Sequence, residues 1–219
     1  MDVEILTTKQ RAFLRAMSAV DFLAQNFYLS GGTALAAFHL HHRFSDDLDF
    51  FSEQEIDLLN LNLSIRRLKK TLGITAIDFQ QSFNRNLFFC RFPREVLKVE
   101  FTFFPFPRLE KSSSVHGIAV DSLIDIAVNK LLTIYQRTQA RDYIDVYWIC
   151  QKKKYPISDL VKKAKVKFDW HIDPLQLGTQ FVKATEAKDF PRLIKKIPLT
   201  QWQDFFIREA KKLKNKIIA

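Results

Sequence analysis

The chain is poor in the residues that build stapled, linker-rich or membrane-spanning proteins. Its 219 residues include only two cysteines, Cys90 and Cys150, far apart and in no Cys-x-x-Cys pair. That excludes a disulfide framework and a cysteine-based zinc site, and it points to a reducing, cytoplasmic setting. Five glycines and seven prolines leave no room for long linkers or low-complexity tracts. The most apolar long stretch, Leu123 to Tyr135, is too short to cross a bilayer and is broken by Asp125, Asn129 and Lys130. The chain starts Met1-Asp2-Val3-Glu4, with neither the basic nor the apolar region of a secretory leader. No GxSxG, HExxH or P-loop lysine pattern occurs, so hydrolase and P-loop chemistries find no support.

What is present is an ordinary globular balance, with 47% hydrophobic and 26% charged residues. The length suits one sizeable domain, or a main domain with a smaller lobe. Twenty-one phenylalanines predict an aromatic-rich core. The net charge of +10 is uneven: residues 1–150 carry 17 basic against 17 acidic side chains, and residues 151–219 carry 17 against 7. Such a lobe either docks a polyanion, most simply a nucleic acid, or is a set of solvated lysine faces.

Apolar spacing predicts a helix over 8–26, a short strand at Phe27-Tyr28-Leu29, and a break at Gly31-Gly32 before a helix from Thr33. A strand at 48–52 is followed by a helix over 53–71, with Ile56, Leu59, Leu63 and Ile65 or Leu68 turned inward. Strands are predicted at 74–80, 86–92 and 96–104, with a weaker one at 115–120. Only helices follow, near 121–136, 139–151, 158–167, 176–187 and 200–216. The order gives an α+β fold, a mixed-sheet core over residues 1–120 followed by a helical, basic lobe over 121–219.

The chemistry concentrates in Gly31-Gly32-Thr33 and Ser45-Asp46-Asp47-Leu48-Asp49-Phe50-Phe51. On a strand, residues i and i+2 share a face, so Asp47 and Asp49 project together while Leu48 and Phe50 turn to the core. Two adjacent carboxylates repel unless a cation lies between them, and hard oxygen donors suit Mg²⁺. The diglycine between a strand and a helix allows close backbone approach and offers N–H groups to phosphate. A third carboxylate completes a two-metal site. Glu100 is the best candidate, because Lys98, Glu100 and Thr102 share the face opposite Val99, Phe101 and Phe103; Asp78 is the runner-up and fits better as a solvated residue. His39, His41 and His42 cluster without cysteines, and consecutive positions rarely converge on one zinc ion.

Tyr28-Leu29-Ser30-Gly31-Gly32-Thr33-Ala34-Leu35, His42-Arg43-Phe44-Ser45-Asp46-Asp47-Leu48-Asp49-Phe50-Phe51, Asp125-Ile126-Ala127-Val128-Asn129-Lys130-Leu131-Leu132, and Arg137 with Arg141-Asp142-Tyr143-Ile144-Asp145-Val146 together resemble the AbiEii/AbiGii-type nucleotidyltransferase toxins. These belong to the DNA polymerase β-like nucleotidyltransferase superfamily. The resemblance covers about residues 25–150. It implies a Mg²⁺-dependent transfer of NMP from an NTP to an acceptor such as a tRNA 3′ end or a protein side chain, and it implies an antitoxin partner. By that resemblance Gly31, Gly32 and Thr33 hold the triphosphate, Asp47 and Asp49 bind metal with Glu100 as third acid, and Lys130 and Asp142 are needed for activity. Here Glu stands at 100 where Asp is more usual.

The residues can be weighed without the family. Lys130 lies in a mostly apolar helix and needs an anion, because a buried unpaired ammonium is costly. Asp142 and Asp145 share a helix face. Asp145 reads as salt-bridged, whereas Asp142 orients Lys130 or touches the nucleotide. Arg43 either pairs with a carboxylate or reaches a phosphate. A different class of reading, a non-catalytic nucleotide- or RNA-binding module on the same fold, is disfavoured by the intact Asp47/Asp49 pair.

Overall fold

The computed structural model describes the backbone of residues 4–217 and the side chains of residues 4–213. Met1 to Val3, on which the reading of the chain's start partly rests, and the side chains of Lys214 and Lys216 lie outside the described residues. Contacts sort the chain into two compact units. One comprises Met1–His39, Phe44–Pro107 and Lys111–Ser122; the other comprises Leu40–Arg43, Arg108–Glu110 and Leu123–Ala219.

The first unit carries a seven-stranded mixed sheet. Its strands are β1 (Tyr28–Ser30), β2 (Leu48–Ser52), β3 (Ala76–Ser82), β4 (Arg85–Arg91), β5 (Val96–Phe103), β6 (Ser113–Val115) and β7 (Ile118–Val120). They lie in the order β3-β4-β5-β2-β1-β7-β6. β2 runs parallel to β5 and antiparallel to β1, which places Asp49 opposite Glu100 on one side and opposite Ser30 on the other. The weak strand expected at 115–120 is a hairpin, β6 and β7, turned at His116 and Gly117 with positive φ.

The helices of this unit are α1 (Thr8–Ser18), α2 (Asp21–Asn26), α3 (Gly31–Ala34) and α4 (Leu58–Leu72), and α3 runs on as a π-helical turn over Leu35–Leu40. α1 and α2 replace the single helix expected over 8–26. The inward face of α4 is Leu61, Ser64, Ile65 and Leu68. Leu59 and Leu63, expected inside, are exposed. The helix starts at Leu58 behind an Asp57 cap rather than at 53, so apolar spacing in the preceding loop misassigned the inward face.

The aromatic core forms on the sheet face opposite Asp49 and Glu100. Leu48 and Phe50 are fully buried, as the alternation of β2 predicts. Phe50 stacks on Phe101 at 5.2 Å, Phe27 meets Phe101 edge-on at 4.9 Å, and Phe88 meets it at 5.9 Å. These offset and edge contacts add to the burial term and hold β2 and β5 rigidly. Cys90 and Cys150 are free and buried; burial pushes their thiols up to about 11 and about 12, so they stay protonated and unreactive at neutral pH.

The second unit is helical: α5 (Leu123–Gln136), α6 (Ala140–Lys153), α7 (Ile157–Phe168), α8 (Pro174–Val182) and α9 (Leu199–Ile217). Tyr143, Trp202, Phe181 and Phe206 fill its core. Two lysines of the basic lobe are buried among the described residues, Lys130 and Lys167. Lys167 is fully buried and donates to Asp125 Oδ1 at 2.6 Å, while Asp125 also accepts from the Leu109 and Glu110 N–H groups. The rest of the α7 lysine run, Lys162, Lys163 and Lys165, is exposed. Among the described residues no helix is long and apolar enough to cross a membrane.

Candidate active site

In the first unit the Asp47/Asp49 pair is built by its neighbours. Leu48 and Phe50 anchor β2 in the core, so Asp49 must face the other way. Gly31 carries a φ of +68°, and a Cβ there would lie 2.6 Å from Asp49 Oδ2. Glycine is thus required twice over, for the left-handed backbone and for the approach of the carboxylate. The Thr33 hydroxyl donates to the Asp47 carbonyl. Thr33 is fully buried and ties α3 to the motif, so its hydroxyl is engaged inside the protein. Gly32 is buried beside it.

A further anchor comes from α1. Thr7 caps that helix in a reciprocal capping box with Gln10. The Gln10 amide then donates to the carbonyls of Ser45 and Asp46, at 2.8 and 3.0 Å, and fixes the loop that leads into Asp47. Gln10 was missed in the sequence because its partners lie some 35 residues away; the Thr-x-x-Gln cap was the available signal.

Glu100 stands beside Asp49 on the same sheet face, and only 5% of its surface is exposed. Both of its oxygens are taken by the Arg85 guanidinium at 2.6 and 2.7 Å, and Thr102 donates to Oε1. Burial alone would raise the Glu100 pKa. The hydrogen bonds from Arg85 and Thr102 and the charges of Arg85 and Lys98 outweigh it, and the carboxyl titrates below the usual carboxylate value. Lys98 donates to Asp47 Oδ2 at 2.9 Å. Asp78 lies on the same sheet face but on the edge strand β3, where it pairs with the exposed Arg91, two strands away from Glu100.

Among the described residues, no three His, Cys, Asp or Glu side chains stand grouped as a metal cluster. The donor set still suits a divalent ion. Asp49 on β2 and Asp47 just before it offer hard carboxylate oxygens, Glu100 on β5 stands beside them in the grip of Arg85, and Lys98 shows that the face draws in cationic groups. Replacing Gly31 with alanine is expected to lower turnover about 10²-fold, because the added methyl must push the Asp49 carboxylate aside. Initial rates of purified wild type and Gly31→Ala check this.

The second unit has its own charged cluster, on α5, α6 and the segment 40–43. Lys130 donates to Asp142 Oδ1 at 2.6 Å and lies 3.0 Å from Asp145 Oδ2. The anion that a buried Lys130 requires is therefore a pair of carboxylates on α6. Arg137 also reaches Asp142, at 3.1 Å. Arg43, for which the sequence left a carboxylate or a phosphate open, is buried and doubly hydrogen-bonded to the Asp145 carboxylate at 2.7 and 2.8 Å. His42 adds a contact of 2.8 Å to Asp145. Burial lowers the His42 pKa against the pull of Asp145. His39 instead pairs with the Asp121 carbonyl. The role of Asp145 as the hub could not be seen in the sequence, since two of its partners lie about a hundred residues away.

A family model described as "Nucleotidyl transferase AbiEii toxin, Type IV TA system" matches residues 12–214. An uncharacterised protein of Aquifex aeolicus (strain VF5) is 29% identical over 167 residues, 74% of this chain and 76% of that protein. The crystal structure of JHP933 from Helicobacter pylori superposes with a TM-score of 0.61 at 22% identity, covering 95% of this chain and 90% of that one. The nucleotidyltransferase toxin MenT4 from Mycobacterium tuberculosis superposes with a TM-score of 0.55 at 18% identity, covering 95% and 86%. Those two likenesses concern the fold. The family match runs from α1 to α9 and includes both charged clusters, and by it this chain belongs to the AbiEii nucleotidyltransferase toxin family.

Proposed function

We propose that this protein transfers NMP from an NTP to an RNA acceptor, a tRNA 3′ end, in a Mg²⁺-dependent reaction. The observation that carries the reading is the Asp47, Asp49 and Glu100 face, held rigidly beside the Gly31 cradle. In the reaction the acceptor hydroxyl oxygen attacks the α-phosphorus. The bond to the bridging oxygen breaks, pyrophosphate leaves with the electron pair, and the hydroxyl proton passes to water. When bound, Mg²⁺ supplies positive charge at the triphosphate and the attacking oxygen.

The residues of the chain do the rest. Asp47 and Asp49 are the metal-holding carboxylates, and Glu100 is the third acid beside them. Gly31 and Gly32 offer backbone N–H groups to phosphate. Thr33 acts on the site through the Asp47 backbone. Lys130 and Asp142 are the further residues needed for activity in this reading, and Asp142 orients Lys130 together with Asp145. Arg43 serves this arrangement by fixing Asp145. The exposed lysines of α7 and the other exposed basic side chains described in the last third supply an RNA-binding surface whose affinity falls with salt. An antitoxin partner and a reducing, cytoplasmic setting belong to the same proposal, in keeping with the toxin family and the two free cysteines.

The test is incubation of the purified protein with each of the four NTPs, labelled at the α-phosphate, together with Mg²⁺ and total cellular RNA. Label is expected on a tRNA-sized band with at least one NTP. Label on protein would keep the chemistry and remove the RNA acceptor. Bound RNA and NTP with no transfer would favour a binding module.

A further inference from the structure

The acidic face already contains two cations, and they are held very differently. Arg85 grips Glu100 with two hydrogen bonds, at 2.6 and 2.7 Å. Such a bidentate fork is rigid and retains its partner. Lys98 reaches Asp47 Oδ2 through one contact of 2.9 Å and stands 3.8 Å from Glu100 Oε2. It is a single flexible ammonium placed between two carboxylates. Its side chain is one quarter exposed and that of Asp47 more so, which leaves it a direct route into solvent. Asp49, in register with Glu100, adds its charge at Arg85. Arg85 and Lys98 thus face these carboxylates in different ways, one fixed and one loosely held.

A hard divalent ion binds carboxylate oxygen at about 2.0–2.1 Å, far closer than an ammonium approaches. The gap between Asp47 and Glu100 cannot hold both cations at full strength, because they repel each other across a few ångströms. Resting on the nucleotidyl-transfer reading, we propose that Lys98 is a displaceable counter-ion. Its ammonium competes with the divalent ion for Asp47 and must swing out before the site is loaded, whereas Arg85 stays on Glu100. Lys98 is therefore a positioning residue that sets the metal concentration at which the site assembles. It keeps the like-charged carboxylates together at low metal and gives way at high metal.

The test is a titration of the full-length protein with Mn²⁺ in the absence of nucleotide, with free Mn²⁺ followed by its electron paramagnetic resonance signal. Lys98→Met is expected to bind Mn²⁺ about fivefold more tightly than wild type, the size of one partly exposed ion pair. Lys98→Gln, which keeps a polar side chain without the charge, is expected to tighten binding likewise and serves if the methionine variant does not fold. Lys98→Arg keeps a cation and should stay within about twofold of wild type. Asp47→Asn should weaken binding. A merely structural lysine would not give tighter binding on removal. Equal or weaker binding by Lys98→Met and Lys98→Gln, with wild-type binding still dependent on Asp47, would overturn the role of Lys98 alone. No Mn²⁺ binding by any variant would overturn it together with the metal-dependent reading.

Discussion

Asp145→Ala is expected to cost about 3–5 kcal/mol of unfolding free energy at neutral pH. Asp145 is fully buried and is the shared partner of Arg43, His42 and Lys130. Lys130 keeps Asp142 when Asp145 is removed, but Arg43 loses both hydrogen bonds of its fork inside the protein. Taking the carboxylate away from a buried guanidinium is a costly way to break such a cluster. Asp145→Asn preserves the volume and should still be strongly destabilised, because the charge is what Arg43 needs.

The same cluster sets an acid limit. Burial opposes ionisation of Asp145, but the charges of Arg43 and Lys130 and the hydrogen bonds from Arg43 and His42 outweigh it and hold the carboxyl well below the usual value of 3.8. The folded pKa is depressed, so the unfolded chain takes up the proton first. The stabilisation is complete above the unfolded value and is lost as pH falls from about 4 through the folded value. His42 acts in the same direction from a higher pH. Burial lowers its pKa below 6.5, so the unfolded chain binds a proton that the fold refuses, and stability declines once pH drops below that value. Denaturant melts between pH 3 and 8 check both. A wild-type midpoint for Asp145→Ala at pH 7 would contradict the cluster's role.

The second large effect concerns activity. Asp49→Asn is expected to reduce nucleotidyl transfer at least about 10³-fold while changing stability by no more than about 0.5 kcal/mol. Asparagine has the same shape, so the fit against Gly31 survives. What disappears is one negative charge and an anionic oxygen ligand. In the fold this loss is offset in part, because Asp49 stands beside the like charge of Glu100 as well as the opposite charge of Arg85. In the proposed reaction it is severe, because carboxylate charge would hold the divalent ion. A substitution that leaves the fold intact and stops the chemistry separates a working site from a purely structural one.

Short-range features could be read from the sequence. The shared face of Lys98, Glu100 and Thr102 and the outward turn of Asp49 follow from strand geometry, and Leu48, Phe50, Val99 and Phe101 are buried as that geometry requires, whereas Asp47, expected on the same strand, lies just before it. The need of Lys130 for an anion followed from its apolar helix, and Asp142 answers it. What could not be read depends on register or on distant pairing. Arg85 meets Glu100 only because β4 and β5 pair with Arg85 opposite Thr102. Gln10 and Asp145 act through partners brought in by the tertiary fold. Leu59 and Leu63 show the reverse error, apolar residues at plausible spacing on a helix whose start was misjudged.

The central claim is that the Asp47/Asp49 face performs metal-dependent nucleotidyl transfer. Quantifying pyrophosphate against NDP released from an NTP, with divalent metal and RNA, by wild type and Asp49→Asn, tests it most directly. The account predicts pyrophosphate from the wild type, in step with label transferred to acceptor, and a loss of at least about 10³-fold in the variant. NDP as the product, or a variant that keeps more than about a tenth of the wild-type rate, would contradict it.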